Sequence, residues 1–242
     1  MRTLLAALLL APALALAASA GIRLDRAPID LNDNPSLQRG AQIFVNYCLS
    51  CHSANYMRYN RLQDLGLTEQ QIKDNLMFAA EKVGDTMTIA MRVKDGADWF
   101  GAAPPDLTVI ARSRGADWLY TFMRTFYQDP ARSTGWNNLA FPSVGMPHVL
   151  YELQGTQVLN VEHATDARGQ HVESRTLALA TPGKMDKIQY DQLVGDLVNY
   201  LVYMGEPSAK SRVQIGLYVM IFLLILILVT WLLKRAYWKE LH

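Results

Sequence analysis

"NPSLQRGAQIFVNYCLSCH", residues 34–52, carries both cysteines of a 242-residue chain, three positions apart, and sets a histidine directly after the second. Asn34 reads as a helix cap with Pro35 at the first helical position. Leu37, Ala41, Phe44 and Cys48 then recur at helical spacing, so one apolar face delivers the motif at the end of a helix. Four chemistries use paired thiols. A disulfide across two intervening residues closes a very small loop and stabilises little. A thioredoxin-like redox pair needs a strand before the motif and a helix opening at it, the reverse of this order. A structural zinc site needs a second ligand pair, and the chain has no third cysteine. The remaining chemistry is covalent haem attachment: each thiol adds to one vinyl group, and the adjacent imidazole reaches the iron. The spacing and the following histidine select it.

The two ends of the chain set the compartment. Residues 1–20, "MRTLLAALLLAPALALAASA", have one Arg, an apolar Leu/Ala run and a small-residue terminus. That order predicts a secretory signal peptide, cleaved after Ala20 or after Ala17. Ile215–Leu233 has nineteen residues without a charge, about 28 Å as a helix and enough to cross a bilayer. Tyr218 and Trp231 sit near its ends, where amphipathic rings favour the interface. The expected organisation is a signal peptide at 1–20, a periplasmic domain at 21–209, a transmembrane anchor at 210–235 and a cytoplasmic tail at 236–242. "GEPSAKSR", 205–212, reads as a short polar linker into the anchor.

The net charge of +1 hides a split: Gly21–Ala209 holds 17 Lys/Arg against 21 Asp/Glu, so the exported part is mildly acidic. That argues against nucleic acid and favours a basic protein partner.

Within the domain, "YDQLVGDLVNYLVYMGEP", 190–207, reads as a second amphipathic helix. Leu193, Leu197, Tyr200, Leu201 and Met204 lie on one face, and Gly205 and Pro207 form the stop. Both helices could be ordinary core packing, but Gly40 with Phe44, and "DLVNYL" at 196–201, resemble the first and last helices that cross in c-type cytochromes. The resemblance implies such a crossing, with the small glycine admitting close backbone approach. The aromatic stretch Ala116–Tyr127 reads as a helix packing Trp118, Phe122 and Phe126 inward. Residues 156–179 alternate around "DARG" and predict a β-hairpin. The fold class is mainly α: a c-type cytochrome domain with a small β-hairpin excursion and one C-terminal transmembrane helix.

A haem held by His52 has a second axial face. A thioether there favours low-spin electron transfer, whereas a vacant face permits gas or peroxide chemistry. His148, His163, His171 and the methionines are the candidates. Met77, Met123 and Met204 fit core packing, Met87 and Met91 stay open, and Met146 lies in a Pro/Gly-punctuated loop that can present one side chain. His163 and His171 fall in the hairpin and read as exposed residues rather than ligands.

Several stretches resemble the cytochrome c1 family: "CLSCHSANYMRYNRL" (48–62), "APPDLTVIARSRGADWLYTF" (103–122), "GMPHVLY" (145–151), and "DLVNYLVYMGEP" running into a single anchor. The resemblance implies one haem c, covalently attached at Cys48 and Cys51, with His52 and Met146 on the iron. It implies Pro105 against the haem and Arg114 near a propionate, with Arg112 the alternative. It further implies an electron-transfer subunit of the quinol–cytochrome c oxidoreductase complex at the bacterial inner membrane. Electrons would pass from a Rieske iron–sulfur protein to a soluble cytochrome c, beside a cytochrome b in a dimeric complex. No substrate bond is made or broken at such a haem, so the subunit is not an enzyme by itself. A stand-alone anchored carrier, or a haem enzyme or sensor with an open iron, are the alternatives.

Overall fold

A computed structural model describes residues 22–165 and 171–240. The stretch read as a signal peptide, with both expected cleavage sites, and the "DARG" segment of the hairpin lie outside the described residues. The first helix, α1, spans Asn34–Ile43. Its cap is Asp33, one residue earlier than the pattern suggests, because the Asp33 carboxylate accepts the Ser36 N–H. The helix then widens into a π-helical turn, Phe44–Cys48, with the Leu49 N–H donating to the Phe44 carbonyl at 2.9 Å. Such a turn inside a helix commonly marks a functional site; here it ends at the first cysteine.

Beyond the motif come β1 (Ala54–Arg58), a 3₁₀ segment, α2 (Glu69–Asn75), β2 (Thr86–Met87), α3 (Val93–Phe100), α4 (Ile110–Arg114) and α5 (Ala116–Arg124). Helix α5 stops short of the expected Tyr127. Phe126–Gln128 instead forms β3 and pairs antiparallel with β4, Trp136–Asn138. Thr125, β-branched, turns its hydroxyl back to the Thr121 carbonyl at the helix end. After a loop and α6 (Tyr151–Gln154), strands β5 (Gly155–Thr165) and β6 (His171–Pro182) form the expected hairpin. His163 is exposed on β5, and His171 opens β6.

Helix α7, Lys187–Gly205, opens with a capping box between Asp186 and Gln189 and carries the core. It crosses α1 as anticipated. A Cβ on Gly40 would lie 2.1 Å from the Asp196 carbonyl oxygen and 2.7 Å from the Tyr200 Cβ, and the Phe44 and Tyr200 rings meet at 5.7 Å. Arg39 closes the crossing on Asp196 with two hydrogen bonds, at 2.6 and 3.0 Å. The final helix, α8, spans Ala209–Tyr237. Its Ser211–Tyr237 stretch is long and apolar enough to cross a membrane and has no buried residue in its most apolar window. The mainly helical domain, small strand pairs and single terminal apolar helix agree with the sequence-based fold class. The stretch read as a linker is largely helical: only Glu206–Ser208 separate α7 from α8.

Candidate haem site

The motif is pinned by an extended strap. Along Ala103–Val109 the Leu107 N–H donates to the Ser53 carbonyl, Asp106 accepts the Asn55 N–H at 2.7 Å, and the Thr108 hydroxyl accepts the Tyr56 N–H. This parallel course brings the Pro105 carbonyl 2.7 Å from His52 Nδ1. A carbonyl only accepts, so Nδ1 carries the proton and Nε2 is left with its lone pair. Burial holds the His52 pKa below its usual value, which keeps the ring neutral and able to ligate a metal.

Cys48 is buried, Cys51 is half-buried, and neither is in a disulfide. Burial, with Cys51 adding, pushes the Cys48 thiol up to about 12. A redox or zinc thiol needs the opposite shift. The motif also follows the C-terminal end of a helix, where the dipole disfavours a thiolate. Among the described residues, no group of three or more His, Cys, Asp or Glu is placed to hold a metal ion. The pair suits chemistry in which sulfur stays uncharged, as in a thioether.

Both thiols and His52 open into one apolar cavity of about 270 Å³. Its lining is mostly apolar, as a large flat macrocycle held by contacts rather than by hydrogen bonds requires. Met146, Pro105 and Arg114 line it too, as do Leu197 and Leu201 of α7. Of the methionines, Met146 and Met123 reach this wall. Met87 is fully buried elsewhere, 3.8 Å from the Tyr200 hydroxyl, and the Met91 sulfur sits over Gly96. Arg112 turns away and pairs with Glu206 at 2.9 Å. The Arg114 guanidinium lies 5.1 Å from the Trp118 ring centre and 5.7 Å from that of Phe141.

The Met146 loop is built on two asparagines that the sequence reading passed over. Asn138, fully buried, accepts the Ala140 and Phe141 N–H groups and donates to the Phe122 carbonyl at 2.7 Å. Asn137 accepts the Ser143 N–H at 2.8 Å, holding a residue with φ of 65°. Gly145 passes the end of α3 so closely that a Cβ would meet the Phe100 carbonyl oxygen at 2.6 Å. His148, just after the loop, is buried with neither ring nitrogen hydrogen-bonded, and its ring stacks on Phe126 at 4.9 Å. Burial pushes its pKa down to about 4, so the ring is neutral, and it is not part of the cavity lining. Trp118 and Phe122, expected as core filler, are also cavity wall, stacked at 4.9 Å. The run "ADWLYTF" directly after "ARSRG" was the available signal, since both stretches share one face.

Fold and cavity together define a membrane-anchored haem protein of the electron-transfer kind, with one apolar chamber between the crossed helices and the strap. The sequence profile of the Cytochrome C1 family matches residues 25–241. Cytochrome c1 of Allochromatium vinosum is 47% identical, over 97% of this chain and 96% of its own length. A Nitrosomonas europaea protein named ammonia monooxygenase gamma subunit is 51% identical, over 99% of this chain and 97% of its own. Cytochrome b/c1 of Bradyrhizobium diazoefficiens is 25% identical over 89% of this chain and 34% of the longer protein. The chain belongs to the cytochrome c1 family, as a haem-bearing electron-transfer subunit of the cytochrome bc1 complex.

Proposed function

We propose that this chain carries one haem c and passes single electrons from a Rieske iron–sulfur protein to a soluble cytochrome c, beside a cytochrome b in a dimeric complex. The observation that carries the reading is the convergence of Cys48, Cys51, His52 and Met146 on one apolar cavity, with His52 Nδ1 tied to the Pro105 carbonyl. Cys48 and Cys51 would hold the haem through thioether bonds to its vinyl groups. When bound, haem supplies one-electron redox chemistry. His52 would hold the iron through Nε2 and Met146 through its thioether, since both line the cavity. Pro105 orients His52 through its carbonyl, a support that also raises ligand basicity. Arg114 is assigned to a propionate: it lines the cavity, while Arg112 is engaged by Glu206. The surrounding apolar wall would keep water from a bound iron, which would favour the ferrous state and a higher potential.

The signal peptide at 1–20 directs the 21–209 domain to the periplasm. The anchor at 210–235 leaves the 236–242 tail in the cytoplasm. The acidic exported face steers a basic cytochrome c; association that slows as salt rises is the expected behaviour. The deciding experiment is purification of a tagged chain from gently solubilised membranes, with co-eluting proteins identified by mass spectrometry. Cytochrome b and a Rieske protein at equal stoichiometry are expected. Elution alone with its haem would favour a free-standing carrier, and co-elution with monooxygenase subunits would replace the electron path proposed here.

A further inference from the structure

The junction between haem domain and membrane span is an elbow rather than a tether. Three residues connect α7 to α8, and the backbone stays hydrogen-bonded through them: Glu206 N–H to the Tyr203 carbonyl at 3.0 Å, Ala209 N–H to the Glu206 carbonyl at 3.1 Å. Pro207 fixes its own φ and keeps Glu206 out of the helical region, at φ −158° and ψ 78°. The Glu206 side chain, 24% exposed, is shared by two arginines. Arg112 Nη1 donates to Oε2 at 2.9 Å, and Arg212 donates to Oε1. These arginines come from different bodies. Arg112 belongs to α4, whose Ile110 and Arg114 line the cavity, and Arg212 belongs to the first turn of the membrane helix. Helix α4 also sits flush against the end of α7: a Cβ on Gly205 would lie 3.3 Å from Arg112 Cγ and 3.6 Å from the Thr108 carbonyl oxygen.

We propose that Glu206 is a positioning residue that locks the angle between the haem domain and the bilayer by joining the cavity wall to the membrane helix through one carboxylate. This rests on the reading of the cavity as the haem site. A single exposed ion pair would not hold such an angle, because its strength is close to that of the hydration it replaces. A half-buried carboxylate between two guanidinium groups is a network. Its two arms pull from opposite sides of a three-residue connection whose backbone is already restricted. Loss of the carboxylate leaves two like charges facing each other at the elbow and frees the domain to tilt. For a protein that exchanges electrons with partners, orientation of the haem plane fixes which edge a partner meets.

The test uses the full-length haem-loaded chain, reconstituted without other subunits into stacked bilayers. The angular dependence of the ferric haem EPR signal is read against the membrane normal. The parent is expected to give a narrow orientation distribution. Glu206→Ala should broaden it at least twofold, and Glu206→Gln, which keeps hydrogen bonding but not charge, should broaden it less. Haem content and midpoint potential should stay at parental values, which separates loss of orientation from damage to the cavity. Arg212→Ala leaves α4 untouched and should broaden the distribution too, so the test survives if the Glu206 variants fail to accumulate. A distribution as narrow in the variants as in the parent overturns the proposal. A parent chain without haem would instead overturn the reading of the cavity.

Discussion

His52 depends on a carbonyl 53 residues further along the chain. Neither the histidine nor Pro105 specifies a ligand alone; the strap's hydrogen bonds to Ser53, Asn55 and Tyr56 bring them together. This separates what was legible at the residue scale from what was not. The thiols, His52 and the Met146 loop could be proposed from local chemistry, because covalent attachment demands that spacing and a loop can offer one side chain. The tautomer of His52, the asparagine scaffold under the loop and the division of labour between Arg112 and Arg114 depend on distant partners, and no local pattern encodes them. Met123 sharpens the ligand assignment, since it too lines the cavity but is held on α5. Met146→Leu should abolish the low-spin ferric spectrum and lower the midpoint potential by roughly 100 mV or more, within the ~0.8 V that axial ligands span. Met123→Leu should leave both nearly unchanged. Optical spectra with redox titration check the pair; the opposite pattern would move the ligand to α5.

At the scale of elements, the crossing of α1 and α7 was expected from the likeness of Gly40, Phe44 and "DLVNYL" to the crossed helices of c-type cytochromes, and the structure has that crossing. Gly40→Ala tests it with competing terms. Alanine favours the helix by up to ~1 kcal/mol. Its Cβ, however, would lie 2.1 Å from a backbone oxygen that cannot move without shifting α7, and overpacking of this kind costs ~1–3 kcal/mol or more. Net destabilisation is expected in denaturant unfolding; an equal or raised midpoint would contradict the packing. Helix α7 also carries Tyr190, Tyr200 and Tyr203, whose phenols burial holds well above their usual pKa of 10.0. A raised pKa means the folded state keeps protons that the unfolded chain releases. The stabilisation is therefore complete below pH 10.0 and is lost as pH rises above it. Unfolding midpoints should be level from about pH 8 to 9.5 and fall beyond pH 10.0; a level profile to higher pH would show that these phenols ionise freely in the fold. Strands β1 to β4 escaped the sequence because two to five residues with interrupted pairing carry too little periodicity. The π-helical turn escaped because its composition is that of any amphipathic helix.

Across the whole molecule, the N-terminal arm, residues 22–33, joins the haem domain both through core and through polar contacts. Ala27 lies in the core, with Ile29 and Leu31 packed against it. The anchor is joined instead by charge and backbone hydrogen bonds. Asp25 and Ala27 donate their N–H groups to Thr121 and Asp117 of α5, and Arg124 bridges Asp25 and Asp191 at 2.6 Å each. The arm thus closes over α5, which in turn walls the cavity. At the other end, a polar stretch that reads as a linker is an elbow, because Glu206 finds arginines on both sides of it. Polar composition alone cannot distinguish a solvated linker from an ion-paired joint. Every part of this arrangement serves one chamber, and the central claim is that Cys48 and Cys51 hold a haem there covalently. The most direct measurement is on the protein purified from membranes, fully denatured and extracted with acidified organic solvent, followed by the pyridine haemochrome spectrum of the chain. The account predicts that one haem per chain stays with the protein, with the spectrum of a porphyrin whose two vinyl groups are both saturated. Haem that leaves with the solvent, or a spectrum with both vinyls intact, would contradict it.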